Sequence, residues 1–88
     1  MGRLDDIKWR TTQQQLYRNI MDCPLAARKD LIKMYNNLEP IAADVSKLEV
    51  VERRTMGSSG RSANEKLAEL KKQIKYLEKM ITIARLSF

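Results

Sequence analysis

The chain has 88 residues, 43% of them hydrophobic and 32% charged, with a net charge of +6 and no histidine. One domain is the ceiling at this length, and a domain so small buries only about 60% of its unfolded surface, so it depends on regular packing or on a partner. The balance excludes a disordered polar chain, and the lack of histidine removes the commonest general base and metal ligand.

Three glycines and two prolines leave room for long regular elements, and helix formers dominate the rest. Cys23 is the single cysteine, so no internal disulfide is possible, and Asp5 and Asp6 interrupt any secretory leader. The location expected from this is the cytoplasm. No apolar run reaches the roughly 18 residues of a membrane span, so no membrane partner is expected.

The first segment, RLDDIKWRTTQQQLYRNIM, carries Leu4, Ile7, Trp9, Leu16, Tyr17, Ile20 and Met21 at amphipathic spacing. It predicts a helix over about 4–21, with Asp5 and Asp6 favourable in the first turn. Its centre, Thr11 to Gln15, is polar, which makes it the most loosely held of the elements. Trp9 and Tyr17 are candidate interface anchors, because Trp and Tyr dominate binding hot spots. The plainer reading is that they dock the helix onto its own bundle.

The middle segment predicts a second helix over about 24–54. Asp22 is placed to cap it, and Pro24 sits where a first-turn proline is tolerated. Ala27, Leu31, Met34, Leu38, Ile41, Val45 and Leu48 fill every heptad slot. Pro40 removes a backbone donor and crowds the carbonyl of Asn36, so a bend is expected near it. The heptad phase is the same on both sides of Pro40, which favours one helix over two with Asn37 as a new cap. Residues 55–61 follow as a flexible connector, and Gly57-Ser58-Ser59-Gly60 has the composition of an engineered linker. So short a connection makes its flanking helices antiparallel neighbours.

The last helix is predicted over about 63–86, roughly 36 Å long. Ser62 and Glu65 match a capping box. Leu67, Leu70, Ile74, Leu77, Ile81, Ala84 and Phe88 then form a second seam, at spacings of 3, 4, 3, 4, 3 and 4. Met80 and Ile83 fall outside it, so the final turns are apolar on more than one face. Ile20, Met21 and Leu25 are expected to cover the tail of Leu86 and Phe88. Met80 and Ile83 call for a second cover, best supplied by a second copy of the chain. Met80, Ile83, Leu86 and Phe88 therefore join Trp9 and Tyr17 as candidate interface residues.

Little in the chain carries chemistry. Cys23 has no base partner and reads as a half-buried structural thiol. Asp5, Asp6, Asp30, Glu39, Asp44, Glu49, Glu65, Glu69 and Glu78 lie off both seams and read as solvated surface charge, while Glu52 lies on a seam position where water reaches it from the connector. No phosphate-cradling, dinucleotide or metal-ligand motif occurs. Lys71, Lys72, Lys75 and Lys79 give the last helix a basic face suited to phosphates. Its plainer reading is a solvated back face, since no Arg, Asn or aromatic group accompanies the stripe to read bases.

The expected fold class is all-α: an antiparallel, coiled-coil-like helical hairpin with a shorter N-terminal helix, as a three-helix bundle or an intertwined helical dimer. The function expected is a non-enzymatic protein–protein interaction or assembly module, of adaptor, scaffold or chaperone-like type. No cofactor and no metal are expected, and the partner is a protein or a second copy in a homodimer. The alternative is a small basic nucleic-acid-binding protein using the lysine face. Heptads specify helix packing and say almost nothing about function, and no motif selects one family.

Overall fold

The computed structural model describes residues 2–54 and 61–86. Its regular structure is all-helical, with no strand among the described residues: α1 (Arg3–Asp6), α2 (Trp9–Met21), α3 (Leu25–Asn36), α4 (Leu38–Arg54) and α5 (Arg61–Leu86). The connector expected at 55–61, with its Gly-Ser-Ser-Gly core, lies outside the described residues except for Arg61, which already belongs to α5.

The single helix expected over 4–21 is interrupted at Ile7–Lys8, and Lys8 adopts the left-handed conformation at φ 53°, ψ 52°. Ile7 and Trp9 explain the interruption. Residues two apart point to nearly opposite sides of a continuous helix. Both side chains nevertheless pack against the core, as does Leu4. A left-handed residue between them turns the chain so that both reach it, at a conformational cost of about 1–2 kcal/mol. The Thr12 hydroxyl donates to the Ile7 carbonyl at 3.4 Å, and the Lys8 carbonyl accepts from the Thr12 N–H at 2.9 Å, so α2 starts with its local polar groups paired.

Asp22 ends α2 instead of capping the next helix, and Pro24 takes the cap position of α3 with extended backbone, φ −59° and ψ 149°. Arg28 holds the corner together. Its guanidinium donates to the carbonyls of Cys23 at 2.8 Å and Met21 at 2.7 Å, supplying donors that a helix C-terminus lacks.

α3 and α4 are joined into one long helix. Asn37 between them keeps right-handed helical angles, φ −71° and ψ −15°, and its N–H still bonds the Lys33 carbonyl at 3.1 Å. Pro40 is exposed near the start of α4 and has no N–H to give the Asn36 carbonyl, so the backbone ladder is interrupted where α3 passes into α4. At the other end of the chain Ser62 lies inside the first turn of α5, so it is not that helix's cap.

The buried side chains of α5 are Ala63, Leu70, Ile74, Leu77 and Ile81, with Leu67 and Ala84 partly buried beside them. On α4 the buried positions are Leu38, Ala42, Val45 and Glu49, and Leu31 continues the row on α3. Met34, Ile41 and Leu48 are only partly buried. The buried face is thus turned from the 34/41/48 edge toward 42 and 49, because the long helix has two neighbours. On one side it meets α5, where Lys66 Nζ lies 3.7 Å from Asp44 Oδ2. On the other it meets α2, where Gln13 Nε2 donates to Glu39 Oε1 at 2.6 Å and the Tyr17 and Tyr35 rings lie 5.9 Å apart. α2 adds Leu16 and Ile20 to the core, and Cys23 lies between it and α5. Side chains fully buried in this way, such as Ile20, Leu38, Leu70 and Leu77, are each worth about 1.5–3 kcal/mol of transfer free energy. The Cα envelope measures 53 × 18 × 16 Å.

Glu49 overturns its expectation as a solvated charge, because it is buried. Its Oε1 accepts from the backbone N–H of Arg3 at 2.9 Å, and the Arg3 guanidinium lies 4.0 Å away. That guanidinium also bonds Glu52 Oε2 at 3.1 Å and, through Nε, Asn64 Oδ1 at 2.6 Å. Glu52 is shielded as well: its Oε1 is buried and has no hydrogen-bond partner among the described residues. Gly2 fits because a Cβ there would stand 2.7 Å from Glu49 Oε2. One arginine therefore ties the start of the chain to the end of α4 and the start of α5.

Two stability predictions follow from this packing. Ile74→Ala should cost about 2–5 kcal/mol, while Lys75→Ala, which is exposed, should cost less than about 0.5 kcal/mol. Equal losses in chemical denaturation would overturn the assignment of the buried face. Arg3→Ala should cost about 1–3 kcal/mol, since it removes the guanidinium from Glu52, Asn64 and the neighbourhood of Glu49, although the backbone N–H of residue 3 still reaches Glu49. Lys66→Ala breaks only exposed ion pairs with Asp44 and Glu69, so it should cost less than about 1 kcal/mol.

Candidate interaction surfaces

The two aromatic candidates of the N-terminal segment fall in different environments. Trp9 packs against the core, which is the docking role. Tyr17 is half exposed and leans on Tyr35 with the rings tilted by 58°. The pair borders an open hollow of about 650 Å³ with Arg10, Gln13, Gln14 and Arg18. Burial pushes the Tyr35 phenol above its ordinary value of 10.0, and the Glu39 carboxylate and Tyr17 push it further the same way.

The apolar end of α5 is arranged differently from the expectation. Met80 is partly buried and packs against the core, so the protomer itself covers part of it. Ile83 is 47% exposed and Leu86 79% exposed, while Phe88 lies outside the described residues. Leu25, expected to cover this end, is itself 77% exposed. Ile20 is fully buried but serves the core beneath, so the described residues leave the end open. Tyr76, one heptad before Ile83 and 52% exposed, extends the same face of α5 toward its middle. The i, i+7 spacing of Tyr76 and Ile83 was the sequence signal for this stripe.

Lys71, Lys72, Lys75 and Lys79 are all exposed. None has an ion-pair or hydrogen-bond partner among the described residues, unlike Lys66, which is held by Asp44 and Glu69. Lys71, Lys72 and Lys75 line a groove of about 540 Å³ together with Ile7, Thr12, Ala68, Ile74 and Glu78. Lys79 stands outside it. The groove lies between α5 and the turn at Ile7–Lys8, so the interruption of the N-terminal helix gives it one wall.

The remaining chemistry is structural. Cys23 is more deeply buried than the half-buried thiol expected, and its Sγ lies 3.3 Å from the Asn19 carbonyl and 3.9 Å from that of Ile81. Among the described residues no group of three or more His, Cys, Asp or Glu side chains is placed to hold a metal ion, and no helix is long and apolar enough to cross a membrane. Compared with models of protein families, with curated proteins and with solved structures, the chain matches none.

The Tyr35 environment has a readable consequence. Folding holds its phenol neutral beyond pH 10, so the stability tied to it is complete below that pH and is lost as pH rises through the folded value. Tyr35→Phe should remove a tyrosinate absorbance component that titrates above pH 10, and should flatten the alkaline decline of the melting temperature. A decline unchanged in the variant would place its cause elsewhere.

Proposed function

We propose that the chain is a non-enzymatic protein-interaction and assembly module that self-associates as a homodimer. In this reading the long α3–α4 helix and α5 form an antiparallel hairpin, and α1–α2 is the third member of the bundle. The order of the contacts supports it. Arg3, Glu52 and Asn64 meet near one end, Gln13 and Glu39 meet midway, and Cys23 and Ile81 meet near the other.

One observation carries the assembly reading: α5 is apolar on two faces and only one of them is buried. Leu70, Ile74, Leu77 and Ile81 are in the core, while Tyr76, Ile83 and Leu86 are 47–79% exposed. An apolar stripe beside a polar surface is the usual mark of an interface. A symmetric dimer is the commonest way to cover such a stripe, because one face then meets its own copy. The bundle itself is thin, with extents of 18 and 16 Å across, so a second copy would add core that an 88-residue chain lacks.

The test replaces exposed residues only, so that the protomer's own core is left intact. Tyr76→Glu combined with Ile83→Glu should lower the mass measured by multi-angle light scattering while circular dichroism keeps its helical signal. A wild-type chain that is monomeric at high micromolar concentration would remove the homodimer from this reading. A double variant that keeps the wild-type mass would move the interface to another face.

A further inference from the structure

We propose that the lysine-rimmed groove between α5 and the Ile7–Lys8 turn is a docking site for an acidic amphipathic helix of a partner protein. The proposal rests on the reading of the chain as an interaction module and uses the surface next to the Tyr76–Ile83 stripe, with Lys72 at the border between them.

Three features fix the chemistry of the occupant. The floor is apolar, made by Ile7, Ala68 and Ile74. The rim is basic, and Lys71, Lys72 and Lys75 have no partner among the described residues, so their charges are available to an incoming carboxylate. Lysine stems are themselves apolar and extend the floor sideways while their ammonium groups stay in water. The lining runs along α5 from Ala68 to Glu78, about 15 Å at 1.5 Å per residue, the length of about three helical turns.

An amphipathic helix docks by laying apolar side chains at i, i+3, i+4 and i+7 into such a groove. Carboxylates on its flanks would then face the lysines. Glu78, the one acidic group of the lining, stands at one end of the groove and disfavours negative charge there, which orients the occupant. A phosphate backbone fits less well. It has no use for an apolar floor, and it would engage the whole basic face, including Lys79, which the groove leaves out.

The test is fluorescence anisotropy with a synthetic helical peptide of about three turns, with leucines at i, i+3, i+4 and i+7 and glutamates on both flanks. Binding should be weakened at least about tenfold by Lys71→Glu combined with Lys75→Glu, and to a similar degree by Ala68→Glu, which puts a charge on the floor. Lys79→Glu makes half the charge change of the double variant but lies outside the groove, so it should alter binding less than about twofold. Replacing the peptide's leucines by serine should abolish binding. All the substituted positions are exposed, and circular dichroism checks that each variant is folded.

The proposal is overturned if the peptide shows no binding at millimolar concentration, or if Lys79→Glu weakens it as much as Ala68→Glu does. It is also overturned if a mixed single-stranded oligonucleotide binds more tightly than the peptide, with affinity falling steeply as salt rises; that result would give the lysines to nucleic acid. The Tyr76→Glu, Ile83→Glu variant separates this proposal from the assembly reading. Peptide binding that survives in a monomeric variant supports the groove alone, and loss of peptide binding in a wild-type dimer leaves the assembly reading standing.

Discussion

Everything in the arrangement turns on how α5 is covered. Its buried row of Leu70, Ile74, Leu77 and Ile81 is a narrow heptad stripe, which Leu67, Met80 and Ala84 widen into a face shared by two neighbours. α4 flanks it on the side where Lys66 meets Asp44, and the N-terminal segment flanks it where Ile7 and Cys23 approach. The N-terminal segment also meets the α3–α4 helix, which buries Ala42 and Glu49 more fully than Ile41 and Leu48. A helix with one partner shows a narrow a/d stripe, and a helix with two shows a stripe centred between them. The register observed here therefore follows from the number of neighbours as much as from the pattern of apolar residues.

The Arg3 cluster stands where apolar packing gives out. Toward the connector the row on α4 ends in Glu49 and Glu52, and burying either carboxylate alone would be costly. Arg3 resolves this by placing one backbone donor and a planar guanidinium among three acceptors from two helices. Such a pair adds little net stability compared with apolar packing, but breaking it leaves an uncompensated charge. Its effect is to hold one end of the chain in register: Arg3 is 46 residues from Glu49 and 61 from Asn64 in sequence. The opposite end uses a different device, the Arg28 guanidinium on the carbonyls of Met21, the last residue of α2, and of Cys23 just beyond it.

The all-helical class was legible in the sequence, because helix formers at 3–4 spacing leave few alternatives. The buried face of α5 was legible as well, since Leu70, Ile74, Leu77 and Ile81 are a strict heptad run. What escaped was everything decided by a third element. The Ile7–Trp9 spacing marks a break only once both side chains are known to reach the core. Glu49 looks like surface charge until Arg3 arrives from the other end of the chain. Met80 looks dependent on a second subunit until the rest of the bundle is known to cover part of it. Trp9 and Tyr17 are a pair by spacing, yet one docks and the other stays half exposed. Local pattern sets the period of a helix face, and tertiary contacts decide how far that face extends.

α5 ends up with three kinds of surface around one axis. One face is buried, and the exposed side carries Tyr76, Ile83 and Leu86 on a row shared with Lys72 and Lys79, with Lys75 and Lys71 continuing the basic surface beyond it. A helix that served only to fill a bundle would need the first alone, with a mixed polar surface elsewhere. Solubility accounts for scattered lysines, but it does not account for three of them around a floor of Ile7, Ala68 and Ile74. Stability accounts for buried leucines, but exposed Ile83 and Leu86 work against solubility unless something covers them. The two exposed faces also differ in kind. The apolar one suits a like surface, which a second copy provides, whereas the basic groove is not self-complementary and calls for an acidic partner. The two surfaces share a border, because Lys72 lines the groove and stands one turn from Tyr76, so an occupant of either one reaches toward the other.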